Sequence, residues 1–233
     1  MPSECPLSVK TRIINSGIND KKTCAVTQNI RYPEFCVKES NADDKNAAEL
    51  AGIMSKFYAD AANRLSKYAS SRMMKKAHKI PEKQRIQKPC GVCMNYNVSF
   101  ADEKYISVVV DVSSFDGKVS SAKRVSHVWS IEKRAAVPAK HFVNTSGEQA
   151  RKIKADVENT VMRNMKNPFF GYYGDAVKSA RKYFRYENFY LVPKGGAFFI
   201  DAGILADAKY GPAVFVAEID RTEKPNKSDK NEQ

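Results

Sequence analysis

The sequence predicts an α+β domain in which an antiparallel sheet packs against one long helix and a later helix pair. Three observations predict it. Leu50, Ile53, Met54, Phe57, Ala61, Leu65 and Tyr68 recur at spacings of three and four, which draws one apolar stripe down a helix. Three segments between residues 92 and 131 alternate apolar and polar positions with the period of half-buried strands. Residues 187–219 close the folded part with Asn188-Phe189-Tyr190-Leu191-Val192, a Pro193-Lys194-Gly195-Gly196 turn, Ala197-Phe198-Phe199-Ile200, a loop to Tyr210-Gly211-Pro212, and a last alternating run over 214–219.

Residues 1–7 are expected to be flexible, 8–220 to form a single domain or two intertwined lobes at about 8–90 and 91–220, and the polar tail 221–233 to be disordered. Val9, Thr11 and Ile13 alternate as a first strand, residues 15–20 read as a turn, and 24–37 as a second extended run. Pro33 biases Tyr32 toward extended geometry, so no helix crosses it. Asn41-Ala42-Asp43-Asp44 offers a helix start, and the helix must end before Pro81.

The meander follows. Val92, Met94, Tyr96, Val98 and Phe100 share one face, Ile106, Val108, Val110 and Val112 the next strand's face, and Val125, His127, Trp129 and Ile131 the third's. Asp116-Gly117 supplies a reversal with positive φ. Thr145-Ser146-Gly147-Glu148 has the form of a capping box opening a helix that ends by Asn167-Pro168. A second helix over about 175–184 leads into the closing strands.

Charge is the strongest compositional signal. The net charge is +13, and nine bases between 64 and 88 (Arg64, Lys67, Arg72, Lys75, Lys76, Lys79, Lys83, Arg85 and Lys88) face a single acid, Glu82. They are the candidate binding residues, for an anionic partner such as nucleic acid, a phosphate-rich wall polymer or a lipid surface. The plainer reading is a solvated helix face with a basic connector behind it. Nucleic acid is disfavoured, because only Tyr68 falls among the bases, short of the interleaved aromatics that single-strand stacking requires.

Cys5, Cys24, Cys36, Cys90 and Cys93 make an odd count, so at least one thiol stays free or pairs between chains. Cys90-Gly91-Val92-Cys93 leads into a strand rather than a helix N-terminus and has no second pair to complete a zinc site. Buried thiols are expected, or structural disulfides if the protein is exported. No metal or cofactor is implied. His78 reads as a surface residue, His127 as a structural histidine beside Trp129, and His141 as a turn residue. Tyr96, Tyr105, Phe115 and Trp129 could line a binding face, although strand aromatics are more often core. No nucleophile elbow, P-loop, dinucleotide fingerprint or His-Glu-x-x-His motif occurs. The chain is read as non-enzymatic.

Tyr32-Pro33-Glu34-Phe35 before the long helix, Ser113-Ser114-Phe115-Asp116-Gly117 in the meander, and Asn188-Phe189-Tyr190-Leu191 with Tyr210-Gly211-Pro212 downstream carry a resemblance over about residues 8–220. The order of segments resembles the extracytoplasmic domain of the lysozyme-sensing anti-sigma-V factor, a related family of uncharacterised exported domains, and the non-catalytic domain that precedes some peptidoglycan deacetylase modules. The resemblance implies a non-catalytic binding or sensing domain of the cell envelope, secreted or anchored, with a protein or an anionic wall polymer as partner. Lysozyme is disfavoured, because it is cationic and would meet a chain of charge +13. The alternatives are a hydrolase of wall sugars or peptides, with His127 or His141 against an acid, and a cytoplasmic nucleic-acid-binding protein. Residues 1–6 lack the order of a signal peptide, and no apolar run approaches the ~18 residues of a membrane span.

Overall fold

The computed structural model describes residues 4–20 and 23–219, and the α+β class stands. Strands β1 (Leu7–Asp20), β2 (Thr23–Val37), β3 (Cys90–Ala101), β4 (Tyr105–Phe115), β5 (Ser120–Ser130) and β6 (Ala135–Val137) form a six-stranded sheet in sequence order. A separate three-stranded antiparallel sheet holds β7 (Phe189–Val192), β8 (Gly195–Ile200) and β9 (Ala213–Ala217). The closing aromatic strands thus form a second layer instead of extending the first sheet. Residues 1–3 and the tail 221–233 lie outside the described residues. Cys5 and Leu7 are buried, and the Lys38 amide donates to the Pro6 carbonyl at 2.9 Å, so order begins before residue 8.

Residues 15–20 do not turn. They continue β1, and Asn15 pairs with Asn29 and Ile18 with Val26, with one register irregularity at Asn19. A polar run reads as a loop, but cross-strand hydrogen bonds to β2 hold it extended. The meander pairs antiparallel as expected, whereas β2 and β3 pair parallel, Val26 opposite Cys90 through Ile30 opposite Met94. A parallel pair requires a long crossover. Helices α1 (Lys45–Tyr68), α2 (Met74–Ala77) and α3 (Glu82–Gln87) supply it.

Asp44 caps α1 by accepting the Ala47 amide. Between α1 and α2 the chain makes a π-helical turn, Ala69–Met73. The wider turn keeps Ala69, Met73 and Ala77 in line with Met54, Tyr58 and Ala62, and all six are buried. The later helices are α4 (Glu148–Met165) and α5 (Ala176–Tyr183). Thr145 forms no capping box, since the Ncap of α4 is Gly147 at φ 86°. Instead the Gln149 side chain accepts the Asn144 amide, and Asn144 accepts the Ser146 amide.

The two faces of the six-stranded sheet carry different cores. On one, α1 packs over Val26, Ile30, Val92, Met94, Ile106, Val108, Val110 and Trp129. On the other, Tyr105 and Val128 join α4, α5 and the small sheet. Strand β4 serves both, so residues 105–110 are all buried. Phe100 belongs to the second core, not to the Val92–Val98 face, because the register shifts between Val98 and Phe100 and turns the strand over.

Ser107 joins the layers. It is fully buried, its Oγ accepts the Leu191 amide from β7 at 3.0 Å, and it accepts the Ser99 hydroxyl at 3.0 Å. Nearby, the Ser126 hydroxyl donates to the Phe189 carbonyl at 2.6 Å. Replacing Ser107 by Ala leaves the Leu191 N–H buried without an acceptor and is predicted to cost about 1–3 kcal/mol. A lowered urea midpoint with an unchanged m-value would show it; an unshifted midpoint would remove Ser107 from this role.

Candidate functional site

Eight of the nine candidate bases reach the surface, and Arg85 does not. Arg64, Lys67, Arg72, Lys75 and Lys79 follow one flank of the α1–π–α2 rod, and Lys83 lies on α3. Among the described residues none of these six meets a carboxylate within ion-pair distance. Lys76 pairs with Asp116 at 2.9 Å. The Asp116 carboxyl, which also accepts the amides of Val119 and Lys118, is held far below the usual carboxylate range by these bonds, the Val119 amide first. Lys88 sets its ammonium 4.1 Å from the Phe115 ring centroid. Arg85 is 8% exposed and places Nη1 2.8 Å from Asp20 Oδ2. Sequence marks the charge but not the rotation of α3, which turns Arg85 inward and leaves Ile86 63% exposed.

Lys88 and Phe115 line a broad groove of about 830 Å³ on the sheet face away from α1, with Asn15, Thr27, Asn29, Cys93 and Ser113 on its floor and Lys209 at its rim. Cys90 is buried in the first core while Cys93 faces this groove, so the C-x-x-C thiols lie on opposite faces of β3. All five cysteines carry free thiols. Burial raises the Cys5 and Cys90 thiols above their ordinary range.

A smaller cavity, about 230 Å³, opens where the turn at 168–172 meets the loop 201–212. Tyr172 forms an isolated antiparallel bridge with Ala206, and the Tyr173 amide donates to the Leu205 carbonyl at 2.8 Å. Gly171 takes the left-handed conformation at φ 57°, and a Cβ there would stand 2.6 Å from the Tyr210 ring. The missing side chain is what lets Tyr210 lie over the turn. Phe169 is 80% and Tyr210 50% exposed, the boldest aromatic exposure on the described surface. The signal in the sequence is the run Pro168-Phe169-Phe170-Gly171-Tyr172-Tyr173-Gly174, aromatics without strand or helix periodicity. Tyr105 and Trp129 are core residues, as strand aromatics usually are.

Two of the three histidines, His127 and His141, meet phenols. The Trp129 indole N–H can only donate, and it donates to the Tyr58 hydroxyl at 3.0 Å. The same hydroxyl lies 3.4 Å from His127 Nδ1, within hydrogen-bond reach. Phe57 packs edge-on against His127, with centroids 4.8 Å apart. His141 Nε2 lies 2.9 Å from the Tyr105 hydroxyl. His78 is exposed, 3.7 Å from Asp20.

No protein-family model matches the chain, and no curated protein is similar enough in sequence to match. The fold, however, recurs in solved structures of a class of uncharacterised domains. A DUF3298 family member from Bacteroides fragilis NCTC 9343 superposes with a TM-score of 0.59 over 93% of this chain and 92% of its own, at 12% identity. A DUF3298 family protein from Pseudomonas aeruginosa PAO1 gives 0.55 over 92% and 90%, also at 12% identity. The likeness is one of fold.

Burial lowers the His127 pKa below its ordinary value. The unfolded chain therefore binds the proton more readily, and stability falls as pH drops below about 6.5. H127Q is predicted to flatten the slope of unfolding free energy between about pH 5 and 7, where one proton contributes at most about 1.4 kcal/mol per pH unit. Equal slopes in urea melts of the two proteins would contradict the assignment.

Proposed function

We propose that this chain is a non-catalytic binding or sensing domain of the cell envelope, working outside the cytoplasm on a protein or an anionic wall component. The observation that carries the reading is the flank of exposed bases, Arg64, Lys67, Arg72, Lys75, Lys79 and Lys83, which meet no acidic partner among the described residues. Bases that a fold does not neutralise are available to a polyanion, and a net charge of +13 extends their reach. The order of segments, similar to that of the extracytoplasmic domain of the anti-sigma-V factor, supports the envelope setting.

Non-catalysis is supported by the use made of two histidines. His127 completes an aromatic cluster with Phe57, Tyr58 and Trp129, and His141 meets the hydroxyl of Tyr105. A cationic partner such as lysozyme stays disfavoured, since the exposed flank would repel it within a Debye length of ~8 Å. No observation favours the hydrolase or the nucleic-acid reading over this one.

Titration against a purified wall-polymer fraction, synthetic polyphosphate and duplex DNA tests the reading. Polyanion binding is expected to weaken about tenfold or more between low and physiological salt, and by a similar factor in R64E/K67E. Wall polymer should be bound in preference to DNA. Binding insensitive to both salt and charge reversal would sink the electrostatic basis, and preference for DNA would favour a nucleic-acid function.

A further inference from the structure

We propose that the cavity between the turn at 168–172 and the loop 201–212 is a recognition site for an ammonium group, carried by a small quaternary amine or by a lysine side chain. The site lies apart from the basic flank and is argued on different observations.

Its walls are aromatic and not parallel. Phe169 and Phe170 meet at 89° with centroids 5.9 Å apart, and Phe170 and Tyr172 meet at 51° and 5.7 Å. Tyr210 lines the same cavity, its ring seated on Gly171. Rings that turn faces and edges toward one volume form the cage that binds alkylammonium groups, because each ring face carries negative potential. The Tyr210 ring already attracts such a group: the ammonium of Lys209, free to extend into solvent, rests 5.2 Å from its centroid.

The cavity wall also holds a carboxylate. Asp201 lines the cavity, and its Oδ1 is shut from solvent with no hydrogen-bond partner among the described residues. Oδ1 is out of reach of a ligand, but the negative charge that this carboxylate sets in the cavity wall favours a cation beside it. A neutral sugar could stack on the rings and donate a hydroxyl, yet it would leave the charge uncompensated. An ammonium answers both the ring faces and the carboxylate. A volume of about 230 Å³ suits a head group rather than a polymer.

Nuclear magnetic resonance titration of the full chain with choline, its neutral carbon isostere dimethylbutanol, and Nα-acetyl-lysine amide tests the proposal. Saturable shifts confined to residues around Phe169–Tyr172 and 201–212 are expected with an ammonium probe, and the isostere should bind about tenfold more weakly. The stronger of the choline and lysine arms identifies the source of the group. Asp201→Asn and, separately, Tyr210→Ala should each weaken binding about tenfold. Should Asp201→Asn fail to fold, the half-exposed Tyr210 variant and the isostere comparison decide. Equal affinity for isostere and choline, full binding by the variants, or no saturable shift at these residues would overturn the site.

Discussion

The burial of β4 on both faces is the constraint on which the rest of the structure depends. Ile106, Val108 and Val110 are sealed by α1, while Tyr105 and Val109 face the second layer. A strand in that position cannot satisfy a polar side chain with water. Ser107 nevertheless stands in its middle, and it is tolerated because it takes the Leu191 amide of the facing sheet. The hydrogen bond and the apolar contact around it fix where β7 sits, and β7 in turn fixes β8 and β9. Residues 188–219 take their place from that seam.

This seam positions both candidate surfaces. The α1 rod lies on the far side of β4, and its inward stripe is spent on the first core, which turns the basic flank outward. The π turn matters here. Without its extra residue the buried series Ala69, Met73 and Ala77 would drift round the helix, and Arg72 and Lys76 would turn toward the sheet. On the near side, the loop 201–212 leaves β8 and returns into β9, closing over the aromatic turn after α4. A cationic ridge and a cavity with one carboxylate therefore occupy different sides of one domain.

How much was legible in the sequence follows from the range of the interactions. The long helix, the meander, the second helix pair and the closing strands are local patterns, and they were readable because one face of each is apolar. The alternation in β4 pointed to a single buried face. The uncharged residues between, Ser107 and Val109, were the sign that both faces were buried. Three other features rest on partners that no local pattern of residues names. Residues 15–20 are extended only because β2 lies alongside. Arg85 is buried only because Asp20 is brought to it. The aromatic run after Pro168 becomes a cavity only because 201–206 bridges to it. The parallel β2–β3 pair was accessible to reasoning, since a helix of 24 residues between two strands is the crossover that parallel pairing needs.

Native-state hydrogen exchange tests the central claim, that β4 and the Ser107–Leu191 seam make one cooperative unit of two cores. The amides of Val108, Val109 and Val110, together with that of Leu191, should exchange only through global unfolding and share one free energy and one denaturant dependence. If Leu191 and the β8 amides instead exchange through a cheaper, sub-global opening while β4 stays protected, the C-terminal layer is a separate unit and the seam does not govern the fold.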